Sequence, residues 1–147
     1  MQVSLSAQYC LYITLVLINL PGFAREAFLG DVDTSNGFCL ITSTETCFVW
    51  KYTQSLPTTP TCYIFPCPKD YPNVPFSALV SFGSSREPGL ILLSQSGEMP
   101  FWDSIGLGLT GGDRTDSLQL DLGTNEVVTA FVYAEVCILC SLGLLPL

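Results

Sequence analysis

Two stretches of the chain share one pattern: GFCLITSTETCFVWKY at residues 37–52 and GLILLSQSGEMPFWDS at residues 89–104. In each stretch a glycine opens an apolar run, a short polar turn follows, and a second run carries a tryptophan near its end. The matching positions lie 52 residues apart: Gly37 with Gly89, Leu40 with Leu92, and Trp50 with Trp102. This repetition predicts two copies of one β-hairpin with the tryptophans in equivalent places.

A second pair of segments has the same spacing. FSALVSF at residues 76–82 lies 52 positions before VTAFVYA at residues 128–134, which aligns Ala78 with Ala130 and Val80 with Val132. A period of about 50 residues is typical of propeller blades or solenoid units. Such a unit cannot bury both of its own faces, so it needs neighbouring units.

Short apolar runs bounded by Gly, Pro, Ser and Asn predict strands throughout. The predicted strands are Phe38–Thr42, Thr46–Trp50, Thr61–Phe65, Phe76–Phe82, Leu90–Ser94, Met99–Trp102, Ser117–Leu122 and Val127–Tyr133. Continuously apolar strands are covered on both faces, and four strands per period fit four-stranded blades. The sequence therefore predicts an all-β partial propeller of about two antiparallel blades and the start of a third.

The composition excludes several classes of function. The chain has 147 residues, of which 48% are hydrophobic and 12% charged, and its net charge is −8. The five basic residues are scattered, so no basic stripe is available for a nucleic-acid backbone. An acidic chain also gains nothing from anionic lipid headgroups.

No histidine is present, which removes Ser-His-Asp catalysis, Cys-His catalysis and histidine metal ligation. Cys62 and Cys67 have loose spacing for zinc, and Cys137 with Cys140 forms a C-x-x-C without the βαβ context of redox proteins. The seven cysteines are odd in number and several lie in apolar runs, which fits buried thiols in a reducing compartment.

The remaining motifs have structural interpretations. Gly106, Gly108 and Gly111 match G-x-G-x-x-G, but a polar turn and an alternating strand follow instead of a helix, which predicts a loop. The acidic residues form no obvious pair and are expected to cap turns: Asp31, Asp33, Asp113 and Asp116. We expect no catalytic, cofactor-binding or metal site, no cofactor and no enzymatic activity.

The N-terminus carries an apolar run, Cys10–Leu20, that is too short to span a bilayer. It is either a buried strand or the core of a signal peptide followed by the small residues Gly22 and Ala24. No basic residue precedes Arg25, which favours the strand and an uncleaved N-terminus.

The stretch EPGLILLSQSGEMPFWDSIGLGLTGGD at residues 87–113, followed by LQLDLGTNEVVT, resembles the N-terminal β-propeller of the 133/155-type scaffold nucleoporins, in particular the fungal 133 branch. Gly97-Glu98 followed by Phe101–Ile105 is the most specific part. This resemblance implies a structural, non-enzymatic part of the outer ring of the nuclear pore complex, acting in nucleocytoplasmic transport at the nuclear envelope. Its implied partners are other scaffold nucleoporins of that ring.

Some members of that family carry an amphipathic segment that contacts curved membrane, but no such stretch is found in this sequence. Pro100 departs from the family pattern, and a proline inside a hairpin strand predicts an edge or a bulge. We expect three regions: an atypical apolar segment at 1–21, a partial propeller at 22–136, and an apolar tail at 137–147. The termini suggest a fragment from a truncated or mis-spliced gene.

Two alternatives remain open at this point. One is an unrelated propeller of WD or kelch character that acts as an interaction module. The other is a small secreted β-protein with disulfides, for which residues 1–24 would be a signal peptide.

Overall fold

The computed structural model describes residues 28–34, 36–53, 61–70, 72–80, 87–108, 116–134 and 137–144, with the backbone alone for 132–134 and 137–140. The apolar N-terminal segment, residues 1–21, lies outside the described residues, as do Gly111 and Asp113.

The described residues form ten strands in three antiparallel sheets. Sheet 1 contains β1 (Leu29–Asp33), β2 (Phe38–Thr42), β3 (Thr46–Lys51) and β4 (Cys62–Pro66). Sheet 2 contains β5 (Phe76–Val80), β6 (Gly89–Leu93), β7 (Glu98–Trp102) and β8 (Asp116–Gln119). Sheet 3 contains β9 (Glu126–Ala134) and β10 (Cys137–Leu144). Within each sheet the strands neighbour each other in chain order, and a short 3-10 turn, Ile105–Gly108, follows β7.

The three sheets stack face to face over two layers of core. Core 1 lies between sheets 1 and 2 and consists of Phe38, Leu40, Cys47, Val49, Phe65, Leu90, Leu92, Trp102 and Ile105. Core 2 lies between sheets 2 and 3 and consists of Ala78, Val80, Ile91, Leu93, Met99 and Val128. Sheet 2 is apolar on both faces because it is covered on both faces, as predicted from its continuous apolar run.

The first strand of each sheet contacts the first strand of the next, β1 with β5 and β5 with β9. Two polar contacts join the sheets near these strands. Thr42 Oγ1 donates to Ser77 Oγ at 2.9 Å, and the Val128 N–H donates to the Gln95 carbonyl at 3.0 Å. Consecutive four-stranded meanders arranged in this way are propeller blades, which confirms the predicted fold class.

All eight predicted strands are present, with ends that differ by a few residues. Ser117–Leu122 was predicted too long: β8 ends at Gln119, and one further hydrogen bond in the same register follows, from the Leu120 N–H to the Gly97 carbonyl at 2.9 Å. Two strands are additional. Asp31, which precedes the expected turn, lies in β1, and residues 137–144 of the predicted tail form β10 against β9.

The hairpin registers correct the predicted repeat by one residue. Trp50 pairs with Cys39 in sheet 1, whereas Trp102 pairs with Leu90 in sheet 2. The strands that carry the tryptophans, β3 and β7, are therefore 52 positions apart in the sequence. The strands that precede them, β2 and β6, are 51 positions apart. The alignment of Leu40 with Leu92 is thus wrong by one residue, and these two side chains face each other across core 1.

The hairpin turns account for that difference. Ser43 and Ser94 hold corresponding places, 51 positions apart, and their N–H groups donate to the carbonyls of Thr46 and Glu98. Two residues lie between Ser43 and Thr46, and three between Ser94 and Glu98. The third residue is Gly97, whose φ of 89° lies in the left-handed region that glycine adopts without strain.

Pro100 was expected on an edge or a bulge, but it is buried in β7 between β6 and β8. Proline lacks a backbone donor. Between β7 and β6 only two pairs of residues are in register, Trp102 with Leu90 and Phe101 with Ile91. Between β7 and β8 the pairing continues past the proline, with Pro100 opposite Ser117. The interior position is therefore accommodated by shortened pairing on one side.

Candidate functional site

Core 1 centres on an aromatic pair. The Phe65 ring of sheet 1 and the Trp102 ring of sheet 2 have centroids 5.0 Å apart at an interplanar angle of 60°. Tilted pairs of this kind contribute stability beyond the area they bury. The 3-10 turn closes the same site, since a Cβ at Gly108 would lie 2.7 Å from the Phe65 ring. Phe65 was not singled out from sequence, although an aromatic residue in a predicted strand was the available signal.

Gly106 and Gly108 therefore belong to a packed turn, as the loop interpretation of the G-x-G-x-x-G motif predicted in outline. Gly108 leaves room for the Phe65 ring. The Ser104 hydroxyl accepts the Gly106 N–H at 3.2 Å and donates to the Glu87 carboxylate at 2.8 Å. These contacts fix the turn after β7.

Trp50 holds the matching place in sheet 1. It pairs with Cys39 and Cys62 and so shares their face, which is opposite to the face that carries Leu40 and Val49 toward sheet 2. Its side chain is 1% exposed, and its Nε1 has no hydrogen-bond acceptor among the described residues. Both tryptophans thus lie on the face directed away from the following sheet.

Cys47, Cys62 and Cys67 form no disulfide, and burial holds their thiols in the protonated form. Burial raises the pKa of Cys47 to about 12, against which the Thr42 hydroxyl acts weakly. Burial also raises the pKa of Cys62 and of Cys67, the latter with a smaller contribution from Cys47. A thiol kept from ionising is a poor nucleophile and a poor metal ligand.

Among the described residues no group of three His, Cys, Asp or Glu side chains could hold a metal ion. Cys62 is the first residue of the edge strand β4, and Cys67 directly follows the last residue of that strand. Cys137 and Cys140 both lie in β10, but their side chains lie outside the description. The absence of a zinc or redox site stays a prediction.

The acidic residues have local roles. Asp33 accepts the Asn36 backbone N–H at 3.3 Å and its side-chain amide at 2.7 Å, which caps the turn between β1 and β2 as predicted. Asp31 accepts the neighbouring Val32 N–H at 2.7 Å. Asp116 was expected in a loop, but it begins β8 and accepts the Ser117 N–H at 2.8 Å.

The surface offers apolar side chains at the strand edges. The exposed large ones are Leu29, Val32, Ile64, Leu118, Leu142 and Leu144. They lie on strands β1, β4, β8 and β10, each of which is the first or last strand of its sheet. No helix within the described ranges is long and apolar enough to cross a membrane.

Three comparisons with known proteins bear on this arrangement. The family model described as Nup133 N terminal like matches residues 11–142. Nucleoporin nup132 of Schizosaccharomyces pombe is 39% identical over 89 residues, which is 54% of this chain and 8% of that protein. The crystal structure of the Nup133 β-propeller domain of Vanderwaltozyma polyspora superposes with a TM-score of 0.54 at 19% identity, covering 77% of this chain and 27% of the solved one.

The stacked antiparallel sheets and the similarity to the solved propeller define the fold class of the chain, which is a partial β-propeller. The family match then extends over most of the sequence. The chain belongs to the nucleoporin family of Nup133 N-terminal-like domains. It spans less than a tenth of the length of the curated relative.

Proposed function

We propose that the chain acts as part of a structural scaffold protein of the nuclear pore complex, at the nuclear envelope, and serves nucleocytoplasmic transport through protein–protein contacts. The observation that carries this proposal is the family match over residues 11–142. Family membership favours this function over an unrelated WD or kelch module and over a secreted protein.

The stacked architecture supports a role in binding rather than chemistry. Core 1 and core 2 hold adjacent sheets together, so the edges of the described strands keep fixed relative positions. Burial holds the thiols of Cys47, Cys62 and Cys67 in their protonated form, and the Asp33 carboxylate caps the turn between β1 and β2. We infer that the chain is not an enzyme and requires no cofactor.

The proposed partners are other scaffold nucleoporins of the outer ring. The exposed apolar side chains on the edge strands, such as Ile64 on β4 and Leu118 on β8, suit a protein partner because burying them is favourable. The chain carries no basic stripe for nucleic acid. The amphipathic, membrane-contacting segment of some family members has no counterpart in the sequence of this chain.

Localisation in the native host tests this proposal. The gene is tagged at its chromosomal locus, and imaging is combined with affinity purification and mass spectrometry. We expect a punctate nuclear rim and recovery of outer-ring nucleoporins. Leu92→Asp places a charge in core 1, where Leu92 is fully buried, and should abolish both signals. Glu45→Gln changes an exposed turn residue and should leave both intact.

The N-terminus provides a second readout. Mass spectrometry of residues 1–24 in the protein from its native host separates this proposal from the secreted alternative. A mature N-terminus at Arg25, or a signal confined to the secretory pathway, would refute the nuclear-pore role.

A further inference from the structure

The turn between β1 and β2 contains the dipeptide Asn36-Gly37, and the fold requires glycine at its second position. Gly37 is buried with a φ of 74°, in the left-handed region, and a Cβ there would clash with the Thr53 side chain. An asparagine before glycine is chemically labile, because no Cβ hinders the approach of the glycine nitrogen to the side-chain amide. The other asparagines precede leucine, valine and glutamate: Asn19, Asn73 and Asn125.

The reaction open to this dipeptide is deamidation of the Asn36 side chain. The Gly37 nitrogen loses its proton to solvent and attacks Asn36 Cγ, the Cγ–Nδ2 bond breaks, and the side-chain nitrogen takes up a proton and leaves as ammonia. Water then opens the resulting succinimide ring at either carbonyl, which leaves aspartate or isoaspartate at position 36. The net result is that water is consumed, ammonium is released and a carboxylate is gained, with no oxidation or reduction.

Asp33 opposes this reaction in the folded turn through three hydrogen bonds. Its carboxylate accepts the Asn36 side-chain amide at 2.7 Å and the Asn36 backbone N–H at 3.3 Å, and its carbonyl accepts the Gly37 N–H at 3.0 Å. The first bond holds the leaving group, and the last holds the proton that must be lost. A deprotonated Gly37 nitrogen would also lie against the Asp33 carbonyl oxygen, and this repulsion makes the nitrogen harder to deprotonate.

We propose that Asn36 is a deamidation site that Asp33 protects while the β1–β2 turn is closed and that reacts when the turn opens. Opening releases the side-chain amide and the Gly37 N–H together, because one residue holds both. Local openings of this kind need less free energy than global unfolding. The product opposes reclosure, since a carboxylate at position 36 replaces the 2.7 Å hydrogen bond to Asp33 with a repulsion between like charges. Deamidation therefore turns a transient opening of sheet 1 into a lasting one.

Peptide mapping by mass spectrometry tests this protection on the full chain, incubated in mildly alkaline buffer with and without guanidinium chloride. Deamidation at Asn36 should be about tenfold or more faster in the denaturant, which breaks the hydrogen bonds to a charged acceptor. In buffer, Asp33→Ala should react about tenfold or more faster than the parent. Thr34→Ala, at an exposed residue of the same turn, keeps Asp33 and should react like the parent. Circular dichroism reports whether the variants retain their sheets.

Hydrogen exchange tests the effect of the product. Asn36→Asp introduces the same charge, so the Gly37 N–H should exchange about tenfold or more faster than in the parent. Equal deamidation rates in buffer and in denaturant, equal rates in folded Asp33→Ala and Thr34→Ala, or unchanged Gly37 exchange in Asn36→Asp would overturn the proposal. Should Asp33→Ala lose its sheets, the other two measurements decide. These outcomes are independent of the nuclear-pore role, which the localisation experiment tests.

Discussion

Trp50 and Trp102 occupy matching positions in consecutive sheets, yet their surroundings differ. Trp102 packs in core 1 against Phe65 of the preceding sheet, at 5.0 Å between ring centroids. Trp50 lies on the corresponding face of sheet 1, which is directed away from core 1, and its buried Nε1 has no acceptor among the described residues. The same hairpin thus places the same side chain against two different neighbours.

This difference separates the contacts that each hairpin makes within itself from the contacts that a neighbouring sheet supplies. Strand pairing and the serine-capped turns are built within each hairpin, so they recur in both sheets. The environment of Trp102 is supplied by sheet 1, as expected for a repeat unit that cannot bury its own faces. Substitutions at these positions should therefore separate the two contributions.

The largest effect is expected for Trp102→Ala. It removes a side chain that is 2% exposed and opens a cavity between sheets 1 and 2, so the free energy of unfolding should fall by about 3–5 kcal/mol. Urea unfolding followed by far-UV circular dichroism measures this change. Ile64→Ala, at a side chain that is 54% exposed in sheet 1, is the control and should cost less than about 1 kcal/mol. Similar losses for both variants would contradict the assignment of Trp102 to the core.

The comparison extends to Cys47, whose counterpart 52 positions later is Met99. Burial raises the pKa of the Cys47 thiol from 9.0 to about 12 in the folded chain. Between these values the unfolded chain loses the thiol proton and the folded chain retains it, so stability falls as the pH rises above 9. The loss by pH 10 should be on the order of 1 kcal/mol.

Cys47→Ala removes this contribution and should make the fall of the unfolding free energy above pH 9 less steep, while the raised pKa values of Cys62 and Cys67 preserve part of that fall. Urea titrations of both proteins at pH 8 and pH 10 provide the measurement. Equal slopes in the two proteins would mean that the thiol ionises in the folded chain.

A smaller difference is expected between Trp50→Phe and Trp102→Phe. Both changes remove apolar area, but Trp50→Phe also removes a buried donor that has no acceptor among the described residues, and the desolvation of such a donor costs about 1–3 kcal/mol. Trp102→Phe weakens the pair with Phe65 and gains no such relief. Thermal unfolding should therefore rank Trp102→Phe as the more destabilising variant by about 1 kcal/mol. The reverse order would indicate that Trp50 finds an acceptor in solution.

The sequence predicted the strands well where hydrophobic runs are continuous. The clearest case is β6, Gly89–Leu93, whose continuous apolar run must be covered on both faces and is buried at every position. β1 was missed because LGDVD contains two aspartates and a glycine, which are poor strand formers, and four of its five residues are exposed. β10 was assigned to an atypical tail because residues 137–147 do not resemble the propeller domain of the family.

The register and the partners of side chains could not be predicted in the same way. The extra residue in the second turn, Gly97, shifts β6 relative to β2 by one position, and periodicity does not report turn length. A one-residue shift exchanges the two faces of a strand, which is why Leu40 and Leu92 were aligned incorrectly. The contact of Phe65 with Trp102 depends on how two sheets stack, and no local pattern encodes it.

The stacking of sheet 1 on sheet 2 is the central claim, and a double-mutant cycle between Phe65 and Trp102 tests it most directly. The unfolding free energies of the parent, Phe65→Leu, Trp102→Leu and the double variant give the coupling between the two rings. Contact at 5.0 Å predicts that the double variant loses less than the sum of the single variants, by about 0.5–1.5 kcal/mol. Losses that add within about 0.3 kcal/mol would mean that the rings do not touch and that the two sheets are not stacked blades.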